Sequence, residues 1–165
     1  MAPQLEKAFT LQVFLSKPDT LSVGPIKGGP HRYVAPVTHG SLEGSGVKAT
    51  IVQGGSDWLL LDATAGVAHL DVRTQLRTEG GDIILVHYPG ILKMDEATQK
   101  MFQWSPDAKS TNPEHHYFMI TPRFETSSQS LKWMEQTLFI GHGHWLVPGD
   151  GSQAAQYEIY KVISA

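Results

Sequence analysis

Three strand-like runs, joined by short turns, occupy the segment from Val52 to Val86. In the middle run, every second residue from Leu70 to Leu76 is apolar or threonine, and the residues between them are polar. Side chains alternate between the two faces of a strand, so this pattern is typical of a strand with one buried face. The glycine-containing turns at residues 62–66 and 79–82 are short, which favours antiparallel pairing of the three runs.

Further short strand-like runs continue on both sides of this segment, and no alternation of strands with long helices interrupts them. We expect helix only at residues 95–102 and 127–136, and strand content well above the usual 20–25%. Closing an antiparallel sheet removes its unpaired edges. The sequence therefore predicts an all-β fold, a single antiparallel β-barrel of about eight to ten strands with one or two short helices, over residues 1–165. A two-sheet sandwich is the alternative.

Several local features carry weaker predictions. Residues 21–29 and 41–46 are rich in glycine, proline or serine and predict a loop and a turn. Residues 115–124 predict an extended run. The pair Gly54-Gly55 inside a strand predicts a bulge that re-aims Asp57 and Trp58.

Composition excludes several classes of function. The net charge is −3 and the basic residues are scattered, which argues against a nucleic-acid-binding surface. The chain has no cysteine, so disulfides, zinc–thiolate sites, iron–sulfur clusters and thiol catalysis are excluded. No phosphate-binding glycine motif or nucleophile elbow occurs, so no cofactor is predicted. We see neither a signal peptide nor an apolar run that could span a membrane, and expect a cytosolic protein.

Five motifs occur in this order along the chain: Gly54-Gly55-Ser56-Asp57-Trp58, Leu70-Asp71-Val72-Arg73, Tyr117-Phe118, Pro122-Arg123-Phe124-Glu125-Thr126 and Leu131-Lys132-Trp133-Met134. With these motifs the chain resembles, from about residue 9 to residue 162, family 3237 of the domains of unknown function (DUF3237), also called UPF0311. The resemblance implies a closed antiparallel barrel and supplies no settled activity.

Three positions depart from the family pattern. Met119 stands where the family usually has a basic residue, Glu135 where it has asparagine, and His39 where it has glycine. If the family's basic residue holds an anionic ligand, Met119 implies that this member binds a less charged one. His39 and Met119 are therefore candidate ligand-binding residues.

Asp71 and Arg73 lie two residues apart on one face of a strand, which allows two interpretations. In the first, both enter the lumen, where the arginine holds an enolate or carboxylate and the aspartate orients it or accepts a proton. In the second, they form an ion pair on the outer face, because Leu70, Val72 and Leu76 would then face the core. The sequence slightly favours the second interpretation, and the resemblance favours the first.

Asp57 is the other acidic candidate. A carboxyl group beside the ring of Trp58 can have a raised pKa through desolvation and act as a base, or it can simply cap the bulge. His87 and Tyr117 lie among apolar residues in predicted strands and could supply acid–base partners, although a histidine in a strand is more often a structural residue. The candidate catalytic residues are thus Asp57, Asp71, Arg73, His87 and Tyr117.

The eight histidines raise the question of a metal. His142 and His144 share one face of a predicted strand, as metal-binding pairs do. No carboxylate follows them before Asp150, so we predict that no metal is required. Trp58, Trp133 and His142 are candidate ligand-binding residues, although the rings could equally fill a core.

Two classes of function stay open. The first is a cofactor-independent isomerase or cyclase that moves protons on a small carbonyl- or phenol-bearing metabolite. The second is a lipocalin-like carrier of small apolar ligands without catalysis. The number of ionisable residues in strands favours the enzyme narrowly. The expected partner is a small molecule, not a nucleic acid or a membrane, and the sequence leaves open whether the chain forms a homodimer.

Overall fold

One large antiparallel sheet dominates the computed structural model, which describes residues 2–164. Strand accounts for 57% of the structure and helix for 11%, so the predicted all-β barrel is confirmed. The strands are β1 (Gln4–Leu15), β2 (Leu21–Pro25), β3 (His31–Gly44), β4 (Val47–Asp57), β5 (Leu60–Asp62), β6 (Val67–Thr78), β7 (Ile83–Lys93), β8 (Phe118–Ile120), β9 (Arg123–Thr126), β10 (Phe139–Leu146) and β11 (Ala154–Ile163).

A ring of eight strands closes the barrel. Around the ring the order is β1, β3, β4, β6, β7, β8, β10 and β11, and β11 pairs with β1 again. Three short strands extend the sheet beyond the ring. Strand β2 pairs with β3, β5 pairs with both β3 and β6, and β9 pairs with β7. Closure leaves no unpaired edge within the ring.

The alternating pattern of the sequence sets the two faces of the sheet. On β6, Leu70, Val72, Thr74 and Leu76 are buried, and the residues between them face outward. The largest inward side chains fill the barrel, and each fully buried apolar side chain contributes about 1.5–3 kcal/mol. They include Phe9, Leu11, Leu42, Leu76, Ile84, Tyr88, Leu92, Phe118, Ile120, Tyr157 and Ile159.

The two ends of the barrel are closed differently. At one end, a 3₁₀ helix (Gln129–Gln136) places Trp133 against Phe9 and Phe139, with ring centroids 5.7 and 6.1 Å apart. Phe124 completes this aromatic cluster. The other end is covered by the α-helix α1 (Glu96–Phe102). A second 3₁₀ helix (Pro113–His115) precedes β8.

Hydrogen bonds fix α1 to the barrel. Asp95 caps the helix by accepting from the Thr98 backbone N–H at 2.7 Å, and its other carboxylate oxygen lies 2.5 Å from Nδ1 of His116. The indole Nε1–H of Trp145, on β10, donates to Oγ1 of Thr98 at 3.0 Å. The helix predicted at residues 95–102 is therefore present, with Asp95 as its N-cap. No helix among residues 2–164 is long and apolar enough to cross a membrane.

Some local predictions were wrong. Residues 21–25 form β2 and not a loop, because β3 extends far enough to supply their pairing partners. The turn predicted at 41–46 is shorter, since β3 continues to Gly44 by pairing with β4. The predicted helix at 127–136 is a 3₁₀ helix, and the extended run at 115–124 divides into β8 and β9 around Thr121-Pro122.

The predicted bulge at Gly54-Gly55 is present on β4. The register shifts between Val52 and Ser56, where four steps along β4 match two steps along β6. Gly54 and Gly55 have φ angles of 132° and 86°, which favour glycine. A Cβ at position 55 would lie 2.0 Å from the Arg73 carbonyl oxygen, so only glycine allows β4 and β6 to approach this closely.

Replacement of Gly55 tests the bulge. We expect Gly55→Ala to lower the free energy of unfolding by at least about 2 kcal/mol more than Gly46→Ala, because the methyl group forces the two backbones apart. Gly46 is a matched control, since it also has a positive φ of 77° but has open space where its Cβ would lie. Urea denaturation measures both, and equal losses would contradict the close approach.

Candidate active site

Asp57 lies at a gap between two strands that pair with β6. The β4–β6 ladder ends at the pair Asp57–Val72, and the β5–β6 ladder begins at Leu60–His69. In the gap, the Asp71 N–H donates to Oδ1 of Asp57 at 3.0 Å. The Asp71 carbonyl accepts from the Trp58 N–H at 3.0 Å. The Asp57 side chain therefore supplies the acceptor that a continuous strand would have supplied, and it points into the barrel.

The carboxyl group of Asp57 is desolvated. The residue is only 6% exposed, and burial raises the pKa of Asp57 to about 7, against a smaller lowering effect of the Asp71 N–H. Loss of hydration disfavours the charged form of a carboxyl group more than one hydrogen bond favours it. Asp57 is thus close to half ionised at neutral pH. The sequence left two interpretations open, desolvated base or backbone cap. The structure shows both the desolvation and a hydrogen bond to the backbone, and the role as a base stays a prediction.

Two buried tyrosines lie beside Asp57. Tyr88 on β7 is the partner of Val72, so Asp57, Val72 and Tyr88 form one inward-facing row across three strands. Tyr157 comes from β11, and its ring centroid lies 5.3 Å from that of Tyr88 in an edge-to-face arrangement. Burial raises the pKa of both phenols, and the Asp57 charge raises them further. Both hydroxyl groups are therefore protonated and can donate hydrogen bonds.

A glycine makes room for the second tyrosine. Gly143 on β10 is the partner of Tyr157, and a Cβ there would lie 2.9 Å from Cε1 of the tyrosine and 2.7 Å from the Phe118 ring. The inward position of β10 must therefore lack a side chain for both rings to fit.

The three polar groups line a small internal cavity of about 30 Å³, which is large enough for about one water molecule. Apolar side chains form the rest of its wall, including Val13, Leu70, Val72 and Phe118. A carboxyl group and two phenols in apolar surroundings interact strongly, because little solvent screens them.

A larger cavity of about 690 Å³ lies above the small one, under α1 at the mouth of the barrel. Its volume is in the range of small-molecule sites. The two cavities have Leu15, Leu59, Phe102 and Trp145 as common wall residues. These four apolar side chains thus separate the mouth cavity from Asp57.

The lining of the mouth cavity is mostly apolar, with glutamines at its rim. Lys17 is the only charged residue of its described lining. Its Nζ lies 6.0 Å from the ring centroid of Trp104, which also lines the cavity. The cavity therefore suits a small organic molecule with few charges.

The lumen-facing interpretation of Asp71 and Arg73 does not match the structure. Both side chains lie on the outer face of β6, because the residues on either side of each are inward and buried. Asp71 is paired there with His87, whose Nε2 lies 3.0 Å from its Oδ1, and not with Arg73. Of the five candidate catalytic residues, Asp57 alone faces the lumen.

The fifth candidate, Tyr117, lies just before β8 and is 47% exposed. The Nζ of Lys93 lies 4.9 Å from the centroid of its ring. Met119 follows on the outer face of β8, and both residues line a shallow groove there with Ile91. Neither side chain contributes to the lumen.

The remaining candidate ligand-binding residues are dispersed. His39 is exposed and stacks on Phe14, with ring centroids 4.2 Å apart. Trp58 is 37% exposed, and its carbonyl accepts from Arg32. Trp133 belongs to the aromatic cluster at the closed end of the barrel. Their role in ligand binding stays a prediction, since the structure does not bring them to one site.

His142 and His144 share the outer face of β10, as the sequence predicted. Nε2 of His142 lies 3.2 Å from the His116 carbonyl oxygen. Within the described range 2–164, no three histidine, aspartate or glutamate side chains are grouped closely enough to hold a metal ion.

Sequence reasoning missed Tyr88 and Tyr157. Each lies on the inward face of its strand, an even number of residues from buried apolar neighbours. These neighbours are Ile84 and Val86 on β7 and Ile159 on β11. A phenol on the core face of a strand needs a polar partner, and this signal could have identified both residues.

The family and fold comparisons agree with this architecture. A sequence model described as "Protein of unknown function (DUF3237)" matches residues 3–162. A protein of Rhodopseudomonas palustris (strain TIE-1), named UPF0311 protein, is 28% identical over 142 residues, which cover 86% of this chain and 89% of that protein.

Two crystal structures have a similar fold. One is a conserved protein of unknown function from Rhodopseudomonas palustris, with a TM-score of 0.83, 22% identity and coverage of 99% of both chains. The other is described as an enzyme from Penicillium herquei, with a TM-score of 0.60, 16% identity and coverage of 98% of this chain and 96% of that chain. The match over residues 3–162 shows that the chain belongs to the DUF3237 family, as the sequence motifs predicted.

Proposed function

We propose that the protein is a cytosolic, cofactor-independent isomerase or cyclase that acts by acid–base catalysis on a small, largely apolar metabolite with a carbonyl or phenol group. The observation that carries the proposal is Asp57, a buried carboxyl group with a pKa of about 7 beneath an apolar cavity. A catalytic acid or base is most effective when its pKa lies near the working pH.

Asp57 can move one proton within a substrate. As the carboxylate, it takes a proton from the carbon next to a carbonyl group or from a phenol. As the carboxylic acid, it returns that proton at another carbon. Isomerisation, and cyclisation by internal addition, leave the atom count of the substrate unchanged, so one carboxyl group completes the cycle without an oxidant or a second reactant.

Tyr88 and Tyr157 can stabilise the charge that develops on the substrate oxygen. Their raised pKa values keep them protonated, so they do not compete with Asp57 as bases. Because the two hydroxyl groups are hydrogen-bonded to each other, one O–H remains to donate to the substrate and the other supports it. Donors fixed in a dry site stabilise an enolate or phenolate more than the neutral ground state.

The substrate reaches Asp57 from the mouth cavity. Its apolar body lies under α1, and its reacting group passes between Phe102 and Trp145, which form part of the wall between the two cavities. Phe102 is half-buried and is the last residue of α1, so a change of its side-chain rotamer can open this wall. The enzyme description of one structure with this fold also supports catalysis.

A non-catalytic carrier is the second candidate. One observation favours it: Asp57 does not line the 690 Å³ cavity, so an apolar ligand can be held there without contact with the carboxyl group. The mostly apolar lining of that cavity suits the binding of an apolar ligand without chemistry.

The pKa of Asp57 makes stability depend on pH. The folded protein holds the Asp57 proton more tightly than the unfolded chain, so a rise from pH 4.5 to pH 8 lowers the free energy of unfolding, by about 3 kcal/mol for this group alone. We expect Asp57→Asn to remove this part of the pH dependence in urea denaturation. Asp150→Asn, in an exposed loop, should retain the wild-type slope above pH 4.5. Parallel slopes in wild type and Asp57→Asn would contradict a raised pKa.

Proton transfer can be measured without the natural substrate. We expect the wild type to speed exchange of the acidic C–H protons of 2-tetralone, a neutral aromatic ketone, with D₂O, as followed by proton NMR. Asp57→Asn should lower the rate by roughly 100-fold or more, and Tyr88→Phe by roughly 10-fold or more. Asp150→Asn is the control that should exchange at the wild-type rate.

Binding of 2-tetralone, followed by tryptophan fluorescence, separates the two functions. Binding without catalysed exchange in the wild type would support the carrier. Undiminished exchange in Asp57→Asn would exclude Asp57 as the base. Retained binding by Asp57→Asn shows that a loss of exchange is not a loss of fold.

A further inference from the structure

We infer that a second binding site, for a phosphomonoester with an apolar body, lies on the outer face of the barrel, where Arg73, His87 and Arg123 form one row. This site is separate from the lumen and does not depend on the proposed catalysis. It uses residues of β6, β7 and β9.

The pairing register creates the row. Arg73 is directly opposite His87, and His87 is directly opposite Arg123. Neighbouring strands are about 5 Å apart, so the two arginines are about 10 Å apart at their Cα atoms. Both are exposed on the same face, and two long side chains at this separation can converge on one anion.

The positive charge of the row is only partly balanced. Among residues 2–164, no carboxylate lies within ion-pair distance of Arg73 or Arg123. Asp71 is paired with His87 at 3.0 Å. The two guanidinium groups lie on either side of His87, so both would attract an anion bound between them.

The row lies in a broad groove of about 1290 Å³. Two exposed leucines line the same groove, Leu85 at 46% and Leu138 at 76% exposure. Leu85 lies on the same face of β7 as His87, two residues away, which is about 7 Å along a strand. An apolar group attached to the anion can therefore lie over Leu85 while the arginines hold the anion.

Two acidic residues also line the groove. Glu135 is already neutralised, since Lys132 Nζ lies 2.8 Å from its carboxylate, which also accepts the Thr126 N–H at 2.8 Å. Glu125 is opposite Leu85 and exposed, so its charge repels a second negative group at that end. The ligand must carry its negative charge at the arginine end only.

The number of hydrogen-bond donors favours a phosphomonoester over a carboxylate. The two guanidinium groups can each donate two hydrogen bonds, which suits the three terminal oxygens of a phosphate better than the two of a carboxylate. A phosphomonoester also carries nearly two negative charges above about pH 7, so the two arginines attract it more strongly than a carboxylate despite the Asp71 carboxylate beside the row.

Titration with 1-naphthyl phosphate at pH 7.5 and low salt, followed by calorimetry, tests the site. We expect saturable binding by the wild type. Arg73→Met and Arg123→Met should each weaken it by roughly 10-fold or more, the loss expected for one charge-assisted hydrogen-bonding group. Arg77→Met is the matched control: Arg77 is exposed on the same face of β6 but does not line the groove, and its replacement should change the affinity less than twofold.

Several outcomes would overturn the inference. They are no saturable binding by the wild type, an equal loss in Arg77→Met, or equally tight binding of 1-naphthoate. Displacement of 1-naphthyl phosphate by neutral 2-tetralone would also overturn it, because the phosphate would then occupy the lumen. Weaker binding of inorganic phosphate than of 1-naphthyl phosphate would support a contribution of the exposed leucines Leu85 and Leu138. Equal affinity of the two ligands would show that these leucines are not part of the site.

Discussion

Desolvation of the Asp57 carboxyl group is the constraint on which the candidate site depends. A carboxylate in an apolar interior is costly, and the protein tolerates it through one backbone hydrogen bond and a pKa raised to about 7. The cost arises because the barrel is closed and its interior is packed, with Tyr88 and Tyr157 almost completely buried beside it. A buried group with this pKa can gain and lose a proton at neutral pH, so the same burial that costs stability makes the carboxyl group suitable for proton transfer.

The two ends of the barrel are closed in different ways, and only one of them encloses a large cavity among the described residues. At one end the rings of Phe9, Phe139 and Trp133 pack against one another, with centroids 5.7–6.1 Å apart. At the other end α1 covers a cavity, and the helix is fixed through polar contacts of Asp95, Thr98 and Trp145. Polar contacts at one side of the helix hold it in place without filling the space beneath it. The structure thus combines a firmly held helix with an apolar chamber that is separated from the Asp57 cavity only by Leu15, Leu59, Phe102 and Trp145.

Sequence periodicity predicted the barrel, α1 and the glycine bulge because these depend on local alternation, capping and backbone conformation. It could not decide which face of β6 is inward when the resemblance and the alternation disagreed, and the alternation was correct for Asp71 and Arg73. It also gave no means of bringing Asp57, Tyr88 and Tyr157 together. Tyr157 reaches the site from β11 through closure of the ring, which depends on contacts between residues far apart in the chain.

One strand register serves both faces of the sheet. The inward row Asp57–Val72–Tyr88 and the outward row Ser56–Arg73–His87–Arg123 are neighbours, displaced by a single residue along β4, β6 and β7. The bulge at Gly54-Gly55 sets the register of β4 against β6, so it places Asp57 opposite Val72 and Ser56 opposite Arg73. A slip of β6 by one residue would turn its outward residues, Arg73 included, into the barrel, and the cost of a buried guanidinium opposes such a slip. The charged outer row therefore helps to specify the register of β6, in which Val72 stands opposite Asp57.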